Sequence, residues 1–295
     1  MTQPVIIIGA GLAGWSTARE FRKLDAITPV LLITADRGDF YAKPSLSNAF
    51  AQGRTPAQLV STPAAKMAQT HNVTLLAHTR ALAIDPARRV VTTSGGELAY
   101  RDLVLATGAQ AIRVPIAGNA ADQVLSVNSL QDFEIFHTRV ASAHNAENDS
   151  KHIVIMGAGL IGCEFANDLA SAGYRVSVVD PAERPLAALL PALAGEELRE
   201  ALGGLGITWH FNTTVAAVDR HPGEDSSVFR VSLSNGTQVF ADIMLSAIGL
   251  RANTVLAQAT GLSCERGIVV DTALQTSADH IYALGDGAQY ASAGG

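Results

Sequence analysis

The sequence has 295 residues, 48% hydrophobic and 16% charged, with a formal net charge of −6. Such a chain folds as one or two globular domains with sizeable cores, and its acid excess disfavours non-specific nucleic-acid binding, which needs a basic footprint. Its two cysteines, Cys163 and Cys264, lie far apart, which excludes a disulfide framework and a dithiol redox centre within the chain.

The first residues, Met1-Thr2-Gln3-Pro4, have neither the basic region nor the cleavage pattern of a signal peptide. The apolar stretches are broken well short of a membrane span. The expectation is a cytoplasmic protein with no membrane or nucleic-acid partner. None of the eight histidines has metal-ligand spacing, so no metal is expected. His137 and His144 could share a helix face, but they read as surface residues.

Val5 to Ile8 is a short, β-branched, wholly apolar run, the pattern of a parallel strand buried on both faces. It leads into Gly9-Ala10-Gly11-Leu12-Ala13-Gly14. Leu12, Trp15, Ala18, Phe21 and Leu24 then recur at helical spacing. Arg19, Arg22 and Lys23 on this helix are a candidate basic stretch for an acidic partner, but read first as a solvated face. Val30 to Ile33 closes a βαβ unit. Val90–Thr93 and Leu98–Tyr100 flank Ser94-Gly95-Gly96 and predict a hairpin. Leu103 to Gly108 reads as a buried strand ending in glycine.

A crossing to a second domain is expected near Val114 and Pro115, and a polar surface loop over His144 to Ser150. The first pattern is then repeated. Ile153 to Met156 runs into Gly157-Ala158-Gly159-Leu160-Ile161-Gly162, and a helix through Phe165 and Leu169 stops at Gly173. Val176 to Asp180 is the next strand. Val228–Ser234 and Thr237–Phe240 flank a hairpin turn at Asn235-Gly236. Ile243 to Gly249 is the second strand ending in glycine. The chain crosses back near Leu250 to Asn253, and Arg266–Val270 and Ile281–Asp286 predict further strands of the first domain. The fold class is α/β, with two nested copies of one nucleotide-binding domain.

Glycine turns occur for packing alone, so one match to G-x-G-x-x-G carries little weight. Here each match follows a buried strand and opens an amphipathic helix. In that setting the first glycine makes the tight turn, the second lets a pyrophosphate approach the backbone, and the third packs helix on strand. The helix N-terminus supplies free N–H groups and partial positive charge. The acid expected about 20 residues on is Asp180 in the second copy, where a carboxylate accepts from a ribose diol and repels a 2′-phosphate. Arg184 lies close by in sequence, but NAD is favoured over NADP. In the first copy Thr34-Ala35-Asp36 brings the acid slightly late, with Asp36 the candidate.

The two glycine turns, Tyr41-Ala42-Lys43-Pro44-Ser45-Leu46-Ser47, Leu105-Ala106-Thr107-Gly108, Gly162-Cys163-Glu164-Phe165-Ala166 and Ile281-Tyr282-Ala283-Leu284-Gly285-Asp286 together resemble the rubredoxin–NAD reductases. These are FAD-dependent enzymes of the pyridine nucleotide–disulfide oxidoreductase superfamily, and the resemblance covers essentially the whole chain. It implies two Rossmann-like dinucleotide-binding domains in a glutathione-reductase-like arrangement. Residues 1–114 and 250–295 would bind FAD and residues 115–249 NADH. The FAD contacts implied are Gly9, Ala10, Gly11, Leu12, Ala13 and Gly14, then Ala35, Asp36, Lys43, Pro44, Ala106, Thr107, Gly108 and Asp286. Those for NADH are Gly157, Gly159, Leu160, Ile161, Gly162, Glu164, Asp180 and Gly249.

The catalytic residues implied are Lys43 and Glu164, meeting beside the isoalloxazine near N5, where the lysine would stabilise negative charge on reduced flavin. Without the resemblance, Lys43 reads as a surface lysine and Glu164 as an exposed helix residue. Cys163 reads as a small packed side chain.

The resemblance further implies electron transfer from NADH through FAD to a one-electron iron protein, with rubredoxin first. Flavorubredoxin, ferredoxin or a nitrite reductase system is the alternative acceptor. Disulfide reductases of the superfamily carry a cysteine pair beside the flavin; this chain has Lys43 in that region and no cysteine near it. Two features depart from the family. Gly287 stands where it has a cysteine, and the sequence stops soon after Asp286, without the family's third, C-terminal domain. The expectation is a truncated chain, monomeric or weakly dimeric, and the bland alternative is an impaired nucleotide-binding fragment.

Overall fold

The computed structural model describes residues 3–142, 151–221 and 228–290; the loop expected over His144 to Ser150 lies outside them. The chain forms two compact units. One comprises Met1–Ala42, Val60–Gln110 and Leu250–Gly295, the other Lys43–Leu59 and Ala111–Gly249.

The first unit is built on a five-stranded parallel sheet. Its spatial order is Ile281–Ala283, Asp102–Leu105, Val5–Ile8, Val30–Ile33 and Thr74–Leu76. Val5 to Ile8 are all buried, as a central strand covered on both faces requires. The helix Leu12–Leu24 buries Trp15 and Ala18 on one face of this sheet. Its expected apolar stripe is narrower than the sequence implied, because Leu12 and Leu24 stand exposed at its two ends. The Trp15 indole N–H donates to the Gly38 carbonyl at 3.0 Å and so fixes the helix against the loop after the second strand. A three-stranded antiparallel sheet, Ala81–Asp85, Val90–Thr93 and Gly96–Ala99, contributes to the core on the other face. Its second hairpin turns on Ser94-Gly95, with Gly96 paired to Thr93 inside the strand.

Among the described residues, the second unit repeats the plan with one strand fewer. Its parallel sheet runs Thr208–His210, Arg175–Val179, His152–Met156, Ile243–Ser246. Val215–Arg220, Phe229–Leu233 and Gln238–Ala241 form its antiparallel sheet. The Asn235-Gly236 turn is present, with Gly236 at φ +86° and the Leu233 N–H bonded to the Thr237 carbonyl at 2.8 Å. The helix Leu160–Ser171 ends before Gly173, which takes φ +90°.

Of the two late strands expected in the first unit, only Ile281–Ala283 joins the main sheet. Ile268–Val270 pairs instead with Ala288–Tyr290. Residues 43–59, which sequence alone leaves with the first domain, pack with the second unit.

Candidate functional site: two glycine turns and a gripped lysine segment

In the first unit, Gly9 has φ +111° and its N–H bonds the Ile33 carbonyl at 2.8 Å. A Cβ there would overlap the Ala106 carbonyl, and a Cβ on Gly14 would overlap the Gly9 carbonyl. Both positions therefore require glycine for packing. Gly11 is different: a Cβ there would meet nothing within 4 Å. It is the N-cap of Leu12–Leu24 and supplies no side-chain cap, so the helix start presents bare N–H groups to open space.

The second unit repeats this geometry. Gly157 has φ +103° and bonds the Val179 carbonyl at 2.8 Å. A Cβ on Gly162 would overlap the Gly157 carbonyl, whereas one on Gly159 would meet nothing. The backbone angles of the two middle glycines are −76°, −170° at Gly11 and −76°, −172° at Gly159. Leu12 and Leu160, the first helical residue of each, are both exposed. Donors turned outward beside room for a ligand fit the pyrophosphate of a dinucleotide at each turn.

Other predicted residues gather around the first turn. A Cβ on Gly285 would lie 2.8 Å from the Ala13 Cβ, which places the Gly285–Gly287 turn, with Asp286, against the glycine turn. Asp286 lines a pocket of about 700 Å³ together with Gln110, Arg251 and Arg266. The Thr107 hydroxyl donates to the Asn253 carbonyl at 2.9 Å, and Gly108, at φ +65°, accepts the Asn253 N–H at 2.8 Å. Gly287 is packed closely on this corner: a Cβ there would stand 3.0 Å from the Thr107 hydroxyl. Asp36 lies three residues beyond the end of the strand Val30–Ile33. Its Oδ1 accepts from the Thr34 hydroxyl at 2.6 Å and from the Gly38 N–H at 2.9 Å, holding its own loop, with Ala35 exposed.

Around the second turn, Asp180 has a part that the sequence did not announce. Its Oδ2 accepts the Ala158 N–H at 2.6 Å and its Oδ1 the Ala182 N–H at 2.7 Å. The carboxylate thus clasps the glycine turn as well as standing at the strand end. Arg184 is turned elsewhere: it pairs with Glu183, and its aliphatic stem lies over Gly195. Gly249 takes φ +115°, and its carbonyl accepts the Ile112 N–H at 3.0 Å. Cys163 is buried, and burial, with the Asp180 and Glu164 charges, pushes its thiol up to about 11.

The expected meeting of Lys43 and Glu164 is not present. The Lys43 ammonium donates to Asn128 Oδ1 at 3.2 Å, while Glu164 accepts the Ser47 hydroxyl. Lys43 and Ser47 begin and end one 3-10 turn, so Glu164 reaches the lysine's segment through Ser47 rather than through the ammonium. Pro44 completes the turn, its carbonyl accepting from Ser47 and Asn48. Asp168, one helical turn beyond Glu164, was missed by sequence reasoning. It is 2% exposed and accepts the N–H groups of Phe50 at 2.8 Å and Ala51 at 2.9 Å. Burial raises its carboxyl above the usual range, and the N–H bonds oppose that shift without cancelling it. The only signal for it was an acid four residues after Glu164, on the same face of the helix.

The basic stretch on the first helix is already engaged. Arg19 and Lys23 both pair with Glu20, and the Arg22 guanidinium donates to the carbonyls of Asp25, Thr28, His71 and Asn72. Among the described residues no group of His, Cys, Asp and Glu side chains is arranged to hold a metal ion, and no helix is long and apolar enough to cross a membrane.

The repeated turn on paired parallel sheets agrees with what the chain matches. Its sequence fits the pyridine nucleotide-disulphide oxidoreductase family over residues 3–294. The chain belongs to that family. Among curated members, it is 44% identical over 290 residues to the nitric oxide reductase FlRd-NAD(+) reductase of Aeromonas salmonicida, covering 98% of this chain and 72% of the relative. It is 43% identical over 286 residues to the rubredoxin-NAD(+) reductase of Alcanivorax borkumensis, covering 97% and 72%. Among solved structures, the ferredoxin reductase for the CYP199A2 system of Rhodopseudomonas palustris superposes with a TM-score of 0.87 at 31% identity, over 98% of this chain and 69% of that one. Putidaredoxin reductase in its covalent complex with putidaredoxin gives 0.87 at 28%, over 99% and 69%. The superfamily and the α/β dinucleotide-binding fold expected from the sequence are therefore both borne out.

Proposed function

We propose that this chain is an FAD-dependent oxidoreductase that moves electrons from NADH to a small one-electron iron protein, with rubredoxin as the first acceptor and flavorubredoxin as the second. The observation that carries the reading is the pair of open middle glycines, Gly11 and Gly159, each over an uncapped helix N-terminus. Two dinucleotides fit two such turns, and relatives at 44% and 43% identity are named as NAD(+) reductases of FlRd and rubredoxin.

FAD, when bound, would supply the redox chemistry that joins a two-electron hydride donor to a one-electron iron centre. In this reading the first unit is the FAD-binding domain, with residues 9–14 and 106–108 and Asp286 as its contacts. The second is the NADH-binding domain, with residues 157–162, Asp180 and Gly249. The Gly11 and Gly159 turns hold the pyrophosphates by backbone N–H donation. Asp180 accepts from the adenosine ribose and, turned to Ala158, keeps that turn in shape. Arg184, lodged against Glu183 and Gly195, is not offered to a 2′-phosphate, which supports NADH over NADPH. Lys43 is the positive charge that the family pattern assigns to the flavin, and Glu164 fixes its turn through Ser47. Cys163 is ill suited to a thiol relay, being buried with its thiol held protonated. The protein is taken as cytoplasmic, and as a monomer or weak dimer.

The test is an absorbance spectrum of the purified chain before and after NADH without oxygen. Flavin bands that bleach on NADH are expected, with recovery on adding oxidised rubredoxin. A chain that stays colourless with added FAD, or flavin bands that NADH leaves unchanged, would overturn the reading.

A further inference from the structure

The helix Leu160–Ser171 does two things at once within the second unit. Its N-terminus is the glycine turn, and its next turns carry Glu164 and Asp168, four residues apart and so on one face. Both carboxylates hold the segment that begins at Lys43. Glu164 takes the Ser47 hydroxyl, and Asp168 takes the N–H groups of Phe50 and Ala51, with Ala49 as a further donor. From the other side, Asn128 accepts the Lys43 ammonium, and its own N–H is held by Asp132 at 3.1 Å.

A carboxylate 2% exposed is costly to keep in an apolar helix face unless its oxygens are satisfied. Packing alone would be served by an apolar side chain. What the carboxylate adds is directional: its two oxygens fix the peptide planes at residues 49–51 relative to the helix. Phe50, so fixed, stacks on His137 with centroids 5.4 Å apart and meets Phe133 edge-on at 5.6 Å.

We propose that Asp168 is a positioning residue for Lys43, clamping the Lys43–Ala51 segment to the nucleotide helix so that the ammonium keeps one place relative to a dinucleotide seated on the same helix. The proposal rests on the reading that Lys43 serves the flavin. It makes the helix a rigid ruler: nucleotide at its first turn, lysine segment on its second and third.

Two measurements test it. The first is amide hydrogen exchange on the flavin-free chain, with and without NAD+. Phe50 and Ala51 are expected to exchange at least tenfold faster in Asp168→Asn than in the parent, with the amides of Ile153–Met156 unchanged. NAD+ is expected to slow Phe50 and Ala51 in the parent and not in the variant. Unchanged exchange in the variant, or no NAD+ effect in the parent, overturns the clamp. The second is the rate of anaerobic flavin reduction by NADH in Asp168→Asn, Lys43→Met and the double variant. Asp168→Asn is expected to slow reduction about tenfold with the NADH Kd unaltered, and the double variant to be no slower than Lys43→Met, because both act through the same ammonium. A multiplicative loss in the double variant would mean that Asp168 acts only on general stability and would overturn the proposal. If Lys43→Met alone reduces at the parent rate, the role of Lys43 itself falls, and that is seen without any change at Asp168. Should Asp168→Asn unfold, Asp168→Glu keeps the carboxylate and displaces its oxygens by one methylene. It should slow reduction about threefold, again with no added loss on Lys43→Met, and an unaltered rate would overturn the proposal.

Discussion

The two glycine turns are alike in backbone and unlike in what supports them. Gly9 and Gly157 make the same left-handed turn and bond the end of the next strand at 2.8 Å, and Gly14 and Gly162 both lie too close to a carbonyl for any Cβ. The acids beyond them part company. Asp180 reaches back to the Ala158 N–H, whereas Asp36, placed beyond its strand end, bonds Thr34 and Gly38 in its own loop. The first turn is steadied instead by the Gly285–Gly287 turn pressed on Ala13, just after the strand Ile281–Ala283, which has no counterpart among the described residues of the second unit. One local geometry is thus kept by two tertiary arrangements, and a carboxylate bonded back to the glycine turn is supplied by only one of the two acids, Asp180.

The sharpest way to break the likeness is at the third glycine. Gly14→Ala or Gly162→Ala drives a methyl into a backbone carbonyl that cannot move away, and is expected to cost about 3 kcal/mol or more, the upper range of overpacking. A thermal melt of each variant should show a lowered or lost transition; an unchanged melt would refute the packing geometry.

The middle glycines should behave in the opposite way. Gly11→Val and Gly159→Val face open space, so both variants should fold, with melting near that of the flavin-free parent. Gly11→Val should lose flavin altogether. Gly159→Val should retain flavin bands but reduce them at least a hundredfold more slowly at a fixed low NADH concentration, about 2.7 kcal/mol of lost binding. Retained flavin in Gly11→Val would undo the placement of the first site.

A smaller effect separates the two acids. Asp180→Asn should weaken NADH binding and narrow the preference for NADH over NADPH about tenfold, ~1.4 kcal/mol, measured as the ratio of kcat/KM for the two nucleotides. Asp36→Ala should leave that ratio where it was.

The smallest effect concerns Cys163. With its thiol at about 11, the folded chain should show no reaction of Cys163 with iodoacetamide at pH 8, while urea exposes it at once. Because the folded chain holds this proton more tightly than the unfolded one, the contribution of Cys163 to stability is full at neutral pH and is lost as pH rises through 11. Rapid labelling without denaturant would show that the thiol is not enclosed.

The sequence by itself determined the βαβ repeats, the two glycine turns and the buried strands that lead towards Gly108 and Gly249. Each is local: a run of β-branched residues, a glycine where φ must be positive or a carbonyl lies too near, and an apolar period of 3.6. The family was legible for the same reason, since its signatures are contiguous. What only the tertiary structure decided is which side chains meet across long stretches of chain. Lys43 and Glu164 are 121 positions apart, and motif reading paired them directly; the folded chain puts Asn128 on the lysine and Ser47 on the glutamate. Asp168 looked like an ordinary helix acid until Phe50 and Ala51 arrived with their N–H groups, and Arg184 looked available until Gly195 left room for its stem. A side chain's partners depend on distances set by the packing of whole elements, and no spacing along the chain encodes them.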